Sequence, residues 1–345
     1  MIKVGVIGST GYAGQQLVWY LSKHPETEIV FLSSHNHTGI PFADTYPNYQ
    51  GFMQDVCIDI QEAESRLSEI DALFIALPHG KSFELAKKCL DMGVKLIDLG
   101  ADFRLKDPAA YKQWYGLDHE ATDLLTEAVY GLPELHRDAI KQASLIANPG
   151  CYCTASILAM APLMKEQLVH PESIIIDAKS GVSGAGRAAN IATLFTECND
   201  SLKAYGVTTH RHTPEIEQEL GFALGKPINL SFTPHLIPMN RGILATCYGK
   251  LEKNVTQEAL YDLYKTFYKG EYFIRVIDTL PETRYVKGSN LCDIALRIDK
   301  RTNQVIALSA IDNLIKGASG QAVQNMNLLF GLEESTGLDI LPMIP

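Results

Sequence analysis

No apolar run in this sequence approaches the roughly twenty residues of a membrane-spanning helix. Nor is there an excess of positive charge. Lys and Arg number 30 against 40 Asp and Glu, a net charge of −10, whereas a surface for nucleic acid or an anionic membrane needs the opposite balance. The seven cysteines are an odd number spread over 345 residues, which is not the pattern of a disulfide framework. Internal repeats and low-complexity linkers are missing too. Met1-Ile2-Lys3-Val4-Gly5-Val6-Ile7-Gly8 reads directly as a strand, so no signal peptide is expected. A reduced, cytoplasmic protein is expected, acting on a small molecule and without nucleic-acid or membrane partners.

What is present is an alternation of strands and helices long enough for two domains. Lys3 to Gly8 has a buried-strand pattern, and a helix is predicted from about Gly11 to His24, with Leu17, Val18 and Leu21 on one face. The turn between them, Gly8-Ser9-Thr10-Gly11-Tyr12-Ala13-Gly14, has the glycines of a dinucleotide-binding turn, which bring a pyrophosphate to a helix N-terminus. The spacing is G-x-x-G-x-x-G, and glycines serving only a turn are the alternative. The second strand, Glu28 to Ser33, ends without the acidic residue that holds an NAD ribose; Ser33 and Ser34 stand there, followed by His35 and His37. With no carboxylate to repel a 2′-phosphate, the expected cofactor is NADP(H). Strands at Ala72–Leu77 and Lys95–Leu99 would carry His79 and Arg104 at their carboxyl ends, the side where a parallel sheet gathers ligands.

The stretch Asn148-Pro149-Gly150-Cys151-Tyr152 lies between a strand-like run ending at Ala147 and a helix predicted from Thr154 to Gln167. A cysteine at a helix start meets unpartnered N–H groups and the positive end of the macrodipole, which favour the thiolate. Cys151 is therefore a candidate nucleophile, an inert buried thiol being the other reading. Two helical positions turn a side chain by about 200°, so Cys153 is expected to face away. Ser180, Gly181, Ser183 and Gly184 follow another strand and offer backbone N–H groups to an anion or a nicotinamide. His210, Arg211 and His212 precede a helix whose expected cap is Thr213, with Pro214 at its first position. That cluster suits proton transfer, although a surface loop would look the same. No third ligand of suitable spacing accompanies the two histidines, and no metal is expected. Later strand-like runs with few helices between them indicate a mostly antiparallel sheet. Asn313 opens a closing segment, with a helix from about Gln321 to Phe330, that could return the chain to the first domain.

The stretches GSTGYAG, ALPHG, GADFRL, YGLPEL, NPGCY, SGVSGAGR, HRHTPEIEQ, FTPHLIPMNRGI, VKGSNLCDI and DNLIKGASGQAVQNMN run in that order from residue 5 to 327. Together they closely resemble the N-acetyl-gamma-glutamyl-phosphate reductase family. The resemblance implies an α/β protein: a Rossmann-type dinucleotide-binding domain over residues 1–147, completed by a C-terminal helical segment 313–345, and an α+β catalytic and dimerisation domain over 148–312. It implies attack of Cys151 on an acyl phosphate, a thioester, and hydride transfer from NADPH in a homodimer or homotetramer. His212 or His210 would move the proton, with His212 preferred. Arg104 and Arg211 would hold substrate anions, and Asn148 a developing oxyanion. Asn313 would join the cofactor-binding set with Gly8 to Gly14, Ser33, Ser34, Ser180, Gly181, Ser183 and Gly184. His35 and His37 stand where the family would be expected to carry a basic side chain such as Arg.

Overall fold

The computed structural model describes residues 1–342 and 344, so Met343 and Pro345 of the closing segment lie outside the described residues. The chain forms two compact units. The first comprises Met1–Pro149 and Ala318–Asp339, and the second is built on Gly150–Gly317.

The first unit is a parallel sheet of β1 (Ile2–Ile7), β2 (Thr27–Ser33), β3 (Ala72–Ile75), β4 (Lys95–Asp98), β5 (Val129–Tyr130) and β6 (Leu145–Ala147), in the order β2-β1-β3-β4-β6-β5. Strands so ordered are apolar on both faces, and all of β3 and the last four residues of β1 are buried. The order reverses between β1 and β3, which makes their carboxyl ends a topological switch point. The first helix, Tyr12–Lys23, buries Leu17, Val18 and Leu21 as their spacing predicts. The helix that returns from the far end of the chain, Gly320–Leu329, is buried at every position. Its Asn325 Nδ2 donates to Gly131 O at 2.8 Å, and Ser319 Oγ donates to Ala13 O at 2.8 Å. The expected closing helix is thus a single element of ten residues, entered through a π turn at Ile315–Ser319.

The second unit holds β7 (Ile175–Gly181), β8 (Lys203–Ala204), β9 (Ser231–Ile237), β10 (Ile243–Lys250), β11 (Ile274–Val276), β12 (Cys292–Asp299) and β13 (Gln304–Ile311). Their order is β11-β12-β13-β10-β7-β9-β8. β10 pairs antiparallel with both β7 and β13, and β12–β13 and β8–β9 are antiparallel as well. Among the described residues, only β7–β9 and β11–β12 run parallel in this sheet. The mostly antiparallel expectation holds. Against this sheet packs the helix Cys151–Lys165, buried from Tyr152 to Met164. A helix buried all round is a core helix, with no polar stripe to set off one face. It contains Pro162, which has no N–H to give Leu158 O. The Tyr268 hydroxyl supplies the missing donor at 2.6 Å. Among the described residues no helix is long and apolar enough to cross a membrane.

Candidate active site

The cysteine helix begins three residues earlier than the sequence suggests, at Cys151 itself, with Gly150 as its N-cap and no side-chain cap. Cys151 is half-buried and Cys153 fully buried. Its first-turn N–H groups have no helical acceptor, so negative charge on Cys151 is favoured where the macrodipole is positive. Cys153 does not simply turn away. Its thiol donates to His212 O at 3.7 Å, so it lies beneath the histidine segment.

The histidine helix, Thr213–Leu224, has His212 as its N-cap and not Thr213. Thr213 is already in the first turn, its N–H donating to His210 O at 3.0 Å. The His212 ring lies directly over Gly150: a Cβ on that glycine would stand 2.4 Å from His212 Nε2. Gly150 N donates to Glu215 Oε1 at 2.8 Å, and Glu215 is wholly buried. One carboxylate thus ties the start of the cysteine helix to the start of the histidine helix. Sequence reasoning missed Glu215. The available signal was its position three residues beyond the cap, the spacing of a capping-box acid, although here it reaches across to another helix.

His210 sits in an aromatic box. Its ring centroid is 5.6 Å from Tyr152, 5.4 Å from Tyr205, 5.3 Å from Phe232 and 4.8 Å from His212. Burial, helped by the Arg211 charge, lowers its pKa to about 4. Its Nδ1 accepts from His212 N at 3.1 Å, so the neutral ring carries its proton on Nε2. The Tyr205 hydroxyl donates to Tyr152 Oη at 3.1 Å, and Tyr152 donates to His235 O at 3.0 Å. Burial pushes Tyr205 up to about 12 and Tyr152 higher still, so both hydroxyls stay protonated. Gly317 crosses close to the nucleophile candidate; a Cβ there would be 2.8 Å from Cys151 Cβ.

The expected anion ligands fare differently. Arg211 is exposed beside the histidines. Arg104 is buried and sends Nε to Asn148 O and one Nη to Leu99 O, both at 2.8 Å, so these donors tie strand ends together and are not offered to an anion. Asn148 is also buried; its Nδ2 donates to Ala318 O at 3.0 Å and its Oδ1 accepts from Asn325 at 3.1 Å. This accounts for Asn148 as a link to the returning helix and leaves its amide committed.

The turn after β1 fits a dinucleotide. Gly8 has φ +81°, and a Cβ there would strike Ala76 O at 2.3 Å, at the switch point. A Cβ on Gly14 would come within 2.1 Å of Gly8 O. The first helix has no side-chain cap and no acidic residue in its first turn, leaving its N-terminus for an anion. Ser9 Oγ donates to Ser33 O at 3.0 Å, and the Thr10 and Ser34 hydroxyls lie 2.6 Å apart. His37 Nδ1 is 3.5 Å from Ser34 Oγ, and His35 is exposed. Tyr12 and Ala13 open the helix itself. The second set of expected cofactor residues forms a corner of the other unit: Asn313 Nδ2 donates to Ser183 Oγ at 3.0 Å and its Oδ1 accepts from Gly242 N at 2.8 Å. Ser180 donates to Gly181 O at 3.0 Å, and a Cβ on Gly184 would be 3.1 Å from Ser180 Oγ.

Residues 3–143 match the family model "Semialdehyde dehydrogenase, NAD binding domain", and residues 151–313 match "Semialdehyde dehydrogenase, dimerisation domain". The chain is 58% identical to the N-acetyl-gamma-glutamyl-phosphate reductase of Clostridium novyi, over the full length of both. It is 53% identical to the protein of that name from Lachnospira eligens, again over all of both chains. The same name attaches to a relative in Pelotomaculum thermopropionicum, 52% identical over 98% of this chain and 97% of that one. In fold, the chain is similar to aspartate semialdehyde dehydrogenase II of Vibrio cholerae, with a TM-score of 0.74 at 18% identity, covering 96% of this chain and 99% of that one. Aspartate semialdehyde dehydrogenase of Candida albicans matches with a TM-score of 0.70 at 16% identity, covering 96% and 98%.

Proposed function

The chain belongs to the N-acetyl-gamma-glutamyl-phosphate reductase family, and from that premise we infer how its residues carry out the reaction. The activity is NADPH-dependent reduction of N-acetyl-L-glutamyl 5-phosphate to N-acetyl-L-glutamate 5-semialdehyde, in arginine biosynthesis. The observation that carries the assignment of roles is the pairing at Gly150, where the cysteine helix starts and the His212 ring lies over its cap.

His212 takes the Cys151 proton, and the helix N-terminus favours the thiolate so formed. The sulfur attacks the acyl carbon, the carbon–oxygen bond to phosphate breaks, and a thioester remains on Cys151. NADPH, when bound, supplies the hydride that reduces this thioester. His212 then gives its proton to the hemithioacetal oxygen; as the carbon–sulfur bond breaks, that proton returns to His212 and the aldehyde is released with Cys151 as thiolate. His210, neutral and with Nε2–H outward from its Nδ1 bond, is a hydrogen-bond donor and not the base. Arg211 is the remaining candidate for a substrate anion. Gly8, Ser9, Thr10, Gly11, Tyr12, Ala13 and Gly14 would hold the pyrophosphate, Ser33 and Ser34 the phosphorylated ribose, and the Ser180–Gly184 corner with Asn313 the nicotinamide side. Self-association through the second unit and a cytoplasmic setting belong to the same reading.

The test is the reverse reaction, following NADPH formation from N-acetylglutamate semialdehyde and NADP+ with and without phosphate. Cys151→Ser should abolish it and still bind NADP+. Turnover that prefers aspartate semialdehyde, or that needs no phosphate, would redirect the assignment to another member of the fold.

A further inference from the structure

We propose that Cys153, His212 and Glu215 form a binding site for a zinc ion. The Cys153 sulfur, a ring nitrogen of His212 and a carboxylate oxygen of Glu215 all lie within 4.8 Å of one another, in one unit of the fold. Zinc bound at about 2.3 Å to sulfur and about 2.0 Å to nitrogen or oxygen sets its ligands under 4 Å apart, so small side-chain movements suffice. Sulfur, imidazole and carboxylate together favour zinc over magnesium or calcium, which take oxygen ligands.

The surroundings support this. Cys153 and Glu215 are fully buried, and His212 is half-buried, so the trio has a closed inner side and a solvent-facing edge. Glu215 already accepts Gly150 N–H, and a hydrogen bond of this kind holds a ligating carboxylate in place. Coordination would exchange the Cys153 thiol proton, now directed at His212 O, for the metal. A thiolate and a carboxylate then balance the two positive charges of the ion, so the buried site carries no net charge. No spacing rule in the sequence shows this site, because its residues come from two helices more than fifty positions apart.

The consequence rests on the acid–base role given to His212: a ring nitrogen held by zinc cannot shuttle a proton, so zinc occupancy arrests turnover without touching Cys151. The probes are zinc chloride, measured by competition with a chromophoric chelator, and cobalt(II), whose thiolate ligation gives a charge-transfer band in the near ultraviolet. The wild type and Cys151→Ser should bind one equivalent of zinc and show the cobalt band. Cys153→Ser keeps a hydroxyl donor for His212 O and its turnover, but should bind zinc about 100-fold more weakly and lose the band. Zinc should inhibit the wild type reversibly, with activity restored by chelator, and leave Cys153→Ser active. If the band survives in Cys153→Ser and disappears in Cys151→Ser, the metal sits on the nucleophile and the proposal is wrong. Absence of micromolar binding by the wild type overturns it equally. Binding as expected with turnover untouched would uphold the site and remove His212 from the chemistry.

Discussion

Two imidazoles separated by a single arginine acquire opposite characters from their surroundings. His210 is enclosed by Tyr152, Tyr205 and Phe232, while His212 lies over the cap of the cysteine helix. General acid–base assistance is worth roughly 10²–10⁴-fold, so His212→Ala should lower kcat on that scale. His210→Ala should mainly raise KM, since it removes a binding donor and leaves the base. A larger kcat loss in His210→Ala would reverse the roles. The pH behaviour follows from the same burial. His210 titrates near 6.5 in the unfolded chain and about 4 in the fold, so its stabilising effect is complete above pH 6.5. It is lost as pH falls toward 4, because the unfolded chain takes up the proton first. Asp98 works the other way: burial and the neighbouring Asp102 raise it to about 7, so its contribution fades as pH rises from the unfolded carboxylate range toward 7. Comparing the wild type with His210→Gln cancels Asp98. The wild type's advantage should shrink between pH 6.5 and 4, by at most about 1.4 kcal/mol per pH unit, as read from urea unfolding. An unchanging gap would mean the ring is not held neutral.

At the end of β2, Ser33 and Ser34 are the proposed basis of cofactor choice, and Ser34 is the one to test. Ser34 shares a 2.6 Å contact with Thr10, and His37 is within 3.5 Å of the same hydroxyl. An aspartate there would repel a 2′-phosphate and accept a ribose hydroxyl. Ser34→Asp should therefore shift the kcat/KM ratio toward NADH; a wild type that already uses both cofactors equally would defeat this reading.

Between elements, the glycine turn makes the sharpest demand on the backbone. At Gly14 an added methyl would come within 2.1 Å of the Gly8 carbonyl, which belongs to the main chain and has φ +81° behind it. Gly14→Ala should force the first helix away from β1 and weaken NADP(H) binding, whereas phosphate release on acylation of Cys151 needs no cofactor and should continue. Loss of both together would indicate unfolding, which circular dichroism would detect. Such a turn was legible in the sequence because glycines between an apolar run and a helical period have few other uses. The longer strands of both sheets were legible as apolar runs, whereas the two-residue β5 and β8 were not. The start of the cysteine helix was not, because Cys-Tyr-Cys-Thr carries no polar face when the helix is buried all round. Glu215 was missed, and the contacts of Arg104 were not foreseen, because both lie across the chain: Glu215 meets Gly150 across 65 positions, and Arg104 meets Asn148 O across 44. Residue type alone suggested an anion ligand in one case and nothing in the other.

For the molecule as a whole, the discontinuous first unit sets a condition on the entire chain. The segment Ala318–Asp339 belongs with residues 1–149, and its helix Gly320–Leu329 is buried throughout. Asn325 holds Gly131 O and Asn148, His24 Nε2 is 2.9 Å from Asn327 Oδ1, and Ser319 reaches the first helix at Ala13 O. Val323, Met326, Leu328 and Leu329 are all buried; at about 1.5–3 kcal/mol each, their burial is comparable with the 5–15 kcal/mol that keeps a typical domain folded. The dinucleotide turn is therefore completed only when the chain has come back from the second unit. A chain ending at Gly317 should lose NADP(H) binding measured by calorimetry and show a non-cooperative thermal transition. Full-length Val323→Ala, which opens a small cavity and keeps the polar contacts, should still bind NADP(H) at a lowered Tm. A truncated chain that unfolds cooperatively and binds the cofactor with wild-type affinity would show that the first 149 residues suffice.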